Sequence, residues 1–367
     1  MNSESLKSKK KTIFSLQAIR AFACIIIFIY HAVRSDASLA FGLSSLSTFF
    51  ILSGFVLTIS YWDRPVETTL KSAVGFSVKK IKPLFCLHVI MLLVGLAKEL
   101  ITPEQSALTY LYELAITVPL IQTLFPVGYQ AFNSVDWYLS ATMILYCIFP
   151  FLLRFLRKQN NGIGKNILMM ICVYLLMLAA GACVGIFLPQ YTTWITKDFP
   201  FYRLGDFFIG CVLGKIYKER GSAASESESR TNGFLLATVL EISAVIGICV
   251  SSVLCFTVFN DVRWFTNACL FIPSSAWLIH CMAREKGAVS KIITNPVTIY
   301  MGGISVYFYL IHRQTLLYIY FGLQRLFSIQ INKWLLVIIA FPVTLMLVHI
   351  YLFLEKKIKN RFLRKSL

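Results

Sequence analysis

Residues 13–33 read IFSLQAIRAFACIIIFIYHAV, an apolar run in which Arg20 and His31 stand out as the two groups most easily charged near neutral pH. About 20 mostly apolar residues is the length of a helix that crosses a bilayer. A basic start, Lys7 to Lys11, precedes the run. The run is long and offers no persuasive small-residue cleavage site, so it reads as a retained helix and not a removable signal peptide. Arg20 and His31 are eleven residues apart. At about 100° per residue they project from one face, roughly 16 Å apart along the axis.

Working outward, the same kind of segment recurs at Phe41–Trp62, Leu84–Ile101, Trp137–Leu156, Ile167–Leu188, Phe201–Tyr217, Gly233–Phe259, Trp264–Met282, Val297–Leu323 and Trp334–Leu354. The expected fold is therefore all-α, a polytopic membrane bundle of about ten transmembrane helices. Composition agrees: 57% of residues are hydrophobic, 14% are charged, and the mean hydropathy is +0.71. Soluble domains carry about 25% charged residues, and one soluble core of this length could not bury so much apolar surface.

The net charge of +18 comes from basic residues gathered in short clusters between apolar runs, without any nucleic-acid-binding module. Nucleic acid is not an expected partner; membrane lipid is. If the N-terminus is cytoplasmic, 26 of the 35 Lys and Arg fall in inside segments and 7 in outside ones. That bias predicts cytoplasmic ends and an even number of spans. Leu108–Phe125 is apolar, but counting it as a span would invert every later loop. With Glu113 and Pro119 inside it, a re-entrant or surface-lying helix is expected. The expected organisation is a basic cytoplasmic segment 1–12, a transmembrane domain 13–354 with a flexible cytoplasmic linker at 218–232, and a basic tail 355–367. The ten cysteines lie in or beside apolar segments without a CxxC pair, so neither zinc nor a disulfide framework is suggested.

Ionisable groups inside spans are costly, about 2.5–3.5 kcal/mol for a central Arg on insertion scales, and are functional candidates for that reason. Histidine is the usual proton acceptor for a hydroxyl near neutral pH, and arginine suits phosphate or carboxylate. The plainer alternative has Arg20 snorkelling to headgroups and His31 capping its helix. No His, Asp or Glu cluster has metal-ligand spacing, and no P-loop, GxSxG or Rossmann fingerprint is present.

Five motifs, in order, resemble those of the acyltransferase 3 family of membrane acyltransferases. Leu16-Gln-Ala-Ile-Arg20 through Tyr30-His31 is similar to its first-helix pattern of an Arg, ten residues and a His. Thr48-Phe49-Phe50-Ile51-Leu52-Ser53-Gly54-Phe55 resembles its FFxLSGF segment, and Lys79-Lys80-Ile81-Lys82-Pro83-Leu84-Phe85 its RRIxPLY stretch. Asp136-Trp137-Tyr138-Leu139-Ser140, with Tyr146 and Pro150, resembles its W-x-L-S helix, and Ile304-Ser305-Val306-Tyr307 through Tyr309-Leu310-Ile311-His312 its ISYxxYLxH signature. Gln17 stands where many relatives carry Asp, and Thr142 where a large subgroup carries Glu, which argues against the subgroup with an added extracytoplasmic esterase-like domain.

The resemblance implies transfer of an acyl group, commonly acetyl, from cytoplasmic acyl-CoA to a hydroxyl of a cell-surface glycan or lipid-linked sugar at the cell membrane. It carries the catalytic role onto His31 and a supporting role onto Arg20. His312, toward the same end of its helix, is a further catalytic candidate. Arg20, Lys79, Lys80 and Lys82 are candidates for the CoA phosphates, although lipid headgroups would use the same lysines. Asp136, Trp137, Tyr138 and Ser140 are candidates for the acceptor, although aromatic anchoring and helix capping explain them equally. The competing class is an exporter of a polysaccharide or lipid-linked glycan; no paired, interrupted helices in two related halves support it.

Overall fold

The computed structural model describes residues 12–160, 162–221, 230–328 and 331–363. Residues 1–11, 222–229 and 364–367 lie outside the described residues, and with them nearly all of the expected segment 1–12, much of the 218–232 linker and the end of the tail. Among the described residues the regular structure is helical throughout: α1 (Phe14–Val33), α2 (Asp36–Tyr61), α3 (Leu70–Ile101), α4 (Ala107–Thr117), α5 (Trp137–Lys158), α6 (Ile163–Phe187), α7 (Pro200–Gly221), α8 (Arg230–Thr257), α9 (Arg263–Thr266), α10 (Ile272–Met282), α11 (Ala288–Ile293), α12 (Pro296–Phe327) and α13 (Lys333–Leu363).

Among the described residues, seven helices are long and apolar enough to cross a membrane: α1, α2, α3, α5, α6, most of α8 and most of α13. α7 and α12 have the length, at 22 and 32 residues, but polar residues interrupt them: Arg203 and Asp206 in α7, and His312, Arg313 and Gln314 midway along α12. This is a polytopic membrane bundle. α4 has 11 residues, a rise of about 16 Å, too short to span. Two elements differ from the sequence expectation. α3 begins at Leu70, so Lys79, Lys80 and Lys82 sit within a helix that runs through Pro83. The expected span 264–282 is broken into α9, a single 3-10 turn at Cys269–Phe271, and α10.

Helix starts are set by local chemistry. Ser35 caps α2 and Asn295 caps α12, each in a reciprocal capping box, while Thr69 and Ser106 cap α3 and α4 through their hydroxyls. Such caps satisfy amides that the first turn leaves without partners.

Within lipid, apolar burial gives helices little reason to associate, so close backbone approach at small residues does the work. α2 and α7 meet this way: a Cβ on Gly54 would lie 2.0 Å from the Phe207 carbonyl oxygen, and one on Gly210 would lie 1.9 Å from that of Ile51. α1 and α12 meet at Gly302, where a Cβ would lie 2.1 Å from the Gln17 carbonyl oxygen. The α2–α7 seam also buries Arg203, which donates to Asp206 (2.7 Å), to the Lys197 carbonyl (2.8 Å) and to the Asn267 carbonyl (3.0 Å), with its guanidinium 5.0 Å from the Phe50 ring centre. The last of these carbonyls lies at the break after α9. A buried ion pair of this kind is tolerated because its donors find partners on several elements.

Gly210→Val forces α2 and α7 apart and lowers the thermal unfolding midpoint in detergent by several degrees, matching an overpacking cost of about 1–3 kcal/mol. Gly164→Ala, where nothing lies within 4 Å, leaves the midpoint unchanged or slightly raised.

Candidate active site

His31 occupies the last turn of α1 and His312 lies midway along α12. Their ring centroids are 5.2 Å apart at a 49° tilt. His312 is buried and packed between Phe28, at 6.1 Å and edge-on, and Phe308, at 6.3 Å and stacked. Its Nδ1 lies 2.6 Å from the Tyr309 carbonyl, so Nδ1–H donates there and Nε2 keeps a lone pair. That Nε2 has no hydrogen-bond partner among the described residues. A buried polar atom left open beside a second imidazole is uncommon enough to require an explanation.

Two cavities approach these residues. One, of about 690 Å³, is lined by His31, Arg34, Lys98, Arg313 and the facing ends of α12 and α13. The other, of about 320 Å³, holds Arg20. The two share no lining residue.

The smaller cavity gathers residues from all five motifs: Arg20 of the first, Ser53 of the second, Lys80 of the third, Tyr138 and Tyr146 of the fourth, and Tyr309 of the fifth. Thr142, the position noted as departing from a subgroup, lines it too. Lys80 places its ammonium 4.7 Å from the Tyr61 ring centre. Lys79 and Lys82 are exposed and line neither cavity.

Of the acceptor candidates, Tyr138 faces the smaller cavity, 5.6 Å from Tyr309 and 4.9 Å from Phe50 between ring centres. Ser140 is buried, with its Oγ 2.8 Å from the Thr123 hydroxyl and 2.7 Å from the Leu120 carbonyl, and fastens the segment after α4 to α5. Trp137 is buried against Phe50, with the Lys197 ammonium over its ring. Asp136 makes no capping bond. Instead its carboxylate lies 2.7 Å from His88 Nδ1 on α3 and accepts from Asn133 Nδ2 at 2.7 Å.

His88 carried no motif, and the sequence offered no local sign of this partnership. Its Nε2 lies 3.1 Å from the Thr117 carbonyl. Both ring nitrogens thus face oxygen. The pair joins α3, α5 and the end of α4. Asn133 also donates to the Leu310 carbonyl, Gln314 to the Phe132 carbonyl and Arg313 to the Ser134 hydroxyl. The 132–136 segment therefore clamps α12 next to His312. Among the described residues no group of three His, Cys, Asp or Glu could hold a metal ion.

An imidazole at a cavity wall, backed by a second imidazole with a free lone pair, can accept a proton from a bound hydroxyl. A cation among tyrosines in a neighbouring cavity can hold an anionic group. Together with a membrane bundle these features define a membrane-embedded group-transfer enzyme. The chain belongs to the acyltransferase 3 family, matching its acyltransferase domain over residues 13–352, and it is an acyltransferase. It is 24% identical to the acyltransferase MdmB of Streptomyces mycarofaciens, an alignment spanning 83% of this chain and 79% of that protein. It is 23% identical to the O-acetyltransferase OatA of Staphylococcus aureus (strain NCTC 8325 / PS 47), over 83% of this chain and 50% of OatA, so it spans about half the length of that relative. No solved structure matches it.

Replacing either His88 or Asp136 by Leu leaves a buried partner exposed to apolar surroundings and costs about 3–5 kcal/mol. The double replacement costs less than the sum, as read by denaturant unfolding of the purified protein in a double-mutant cycle.

Proposed function

We propose that this protein is an O-acyltransferase moving an acetyl group from acetyl-CoA to a hydroxyl of a cell-surface glycan or lipid-linked sugar at the cell membrane. The observation that carries the reading is the convergence of five separated motifs on the Arg20 cavity, with His31 of the same helix at a second cavity. Acyl-CoA enters the cytoplasmic end, the end the Lys and Arg distribution assigns to both termini. Arg20 and Lys80 meet its phosphates, and the thioester reaches toward His312 and His31. The acceptor comes from the opposite side into the His31 cavity.

In the transfer, His31 takes the proton of the acceptor hydroxyl as its oxygen bonds to the thioester carbonyl carbon. The carbon–sulfur bond breaks, the thiolate leaves and takes that proton from the His31 imidazolium, and the ester remains on the sugar. His312, held with Nδ1–H bonded to the Tyr309 carbonyl, offers Nε2 as the acceptor that steadies the imidazolium of His31. The proton budget balances without a metal or redox partner.

His31→Ala abolishes transfer of labelled acetyl from acetyl-CoA to a glycan acceptor while membrane insertion and yield stay at wild-type level; undiminished transfer would sink the role given to His31. Arg20→Ala with Lys80→Ala raises KM for acetyl-CoA by at least about tenfold, each lost charged contact being worth about 1.4 kcal/mol, or a factor of about ten. KM for the acceptor stays unchanged. A change confined to the acceptor KM contradicts the assignment of the two cavities.

A further inference from the structure

The larger cavity is basic. Arg34, Lys98, Arg313, Arg325 and Lys333 line it, against the single carboxylate of Glu104. Lys98 is neutralised by Glu99 at 2.9 Å. Among the described residues, Arg34, Arg313, Arg325 and Lys333 have no carboxylate partner. Arg313 spends its Nε on the Ser134 hydroxyl, and Arg325 lies over its own neighbour Phe321. Four cations face the one Glu104 carboxylate around this cavity, so the excess positive charge is self-repelling and a bound anion relieves it.

Arg34 ends α1 in the left-handed region, at φ 53°. Helix ends of this shape favour glycine, which has no Cβ to crowd the following carbonyl. Here an arginine occupies the position and lines the cavity, three residues after His31. Leu316, Tyr320 and Phe321 of α12, with Ile331 and with Leu336 of α13, form an apolar part of the wall of the same cavity.

From this geometry we infer that the acceptor is acidic: it carries a phosphate or pyrophosphate that seats among Arg34, Arg313, Arg325 and Lys333 and holds the reacting hydroxyl at His31. The inference rests on the acyltransferase reading above and adds the chemistry of the acceptor. The anion belongs either to the glycan itself or to a lipid carrier whose chain lies along the apolar wall. Guanidinium groups suit such oxyanions through paired N–H donors.

The test uses the full chain in detergent, titrated with farnesyl pyrophosphate, inorganic pyrophosphate and farnesol, with acetyl-CoA titrated in parallel. Farnesyl pyrophosphate binds and farnesol does not, and binding weakens as salt rises. Arg325→Gln combined with Lys333→Gln weakens pyrophosphate binding at least tenfold and leaves the Kd for acetyl-CoA unchanged. Farnesyl pyrophosphate binding much more tightly than inorganic pyrophosphate assigns the anion to a lipid carrier; equal affinities assign it to the glycan. Equal binding of farnesol and farnesyl pyrophosphate, or pyrophosphate affinity indifferent to the double variant, overturns the inference. In that case intact acetyl-CoA binding and His31-dependent acetyl transfer leave the acyltransferase reading standing, whereas their loss removes both.

Discussion

The backbone contact between α1 and α12 at Gln17 and Gly302 governs the rest of the molecule. Because Gly302 lets the two helices touch, the side chains farther along both helices are forced together. Cys24 donates to the Ser305 carbonyl at 3.3 Å, Phe28 meets Phe308 at 5.5 Å, and His31 meets His312 at 5.2 Å. Two helices almost 300 residues apart in the chain thereby present one shared face. Dispersion and a few polar bonds hold that face in register where lipid supplies no hydrophobic drive between helices.

Register along α12 is fixed from the other side by the loop before α5. Asn133, Ser134 and the Phe132 carbonyl bond to Leu310, Arg313 and Gln314 of α12. Asp136 ties that loop to His88 of α3. The His88–Asp136 pair acts through structure: it places a loop, the loop places α12, and α12 places His312. Burying two ionisable groups is expensive unless both are fully bonded, and here each oxygen and nitrogen of the pair has a partner.

Much of this was legible in the sequence because a bilayer imposes a simple rule on composition and length. The runs around α1, α5, α6, α8 and α13 announce themselves, and so does the insufficiency of α4. The sequence places Lys79, Lys80 and Lys82 at the entrance of a span starting at Leu84, whereas α3 starts at Leu70, because a helix can project its lysines outward for a turn and more before entering lipid. The break within 264–282 was hidden because it is stabilised from a distance, by Arg203 on the Asn267 carbonyl and by Asn267 on Thr196; Pro273 in the first turn of α10 was the one local clue. The approach of His31 to His312 followed from where each lies on its helix. His88 with Asp136 did not, because a pairing across 48 residues leaves no periodic trace.

The separation of the two cavities has a physical side. On α1 the stretch between Arg20 and His31 includes Cys24 and Phe28, both buried, and on α12 it is matched by buried Phe308 and Ile311. On the proposed function, the acyl group passes this packed aromatic and aliphatic layer on its way from one cavity to the other. A layer packed this closely lets two sites on one pair of helices stay sealed from each other while the reacting groups meet across it.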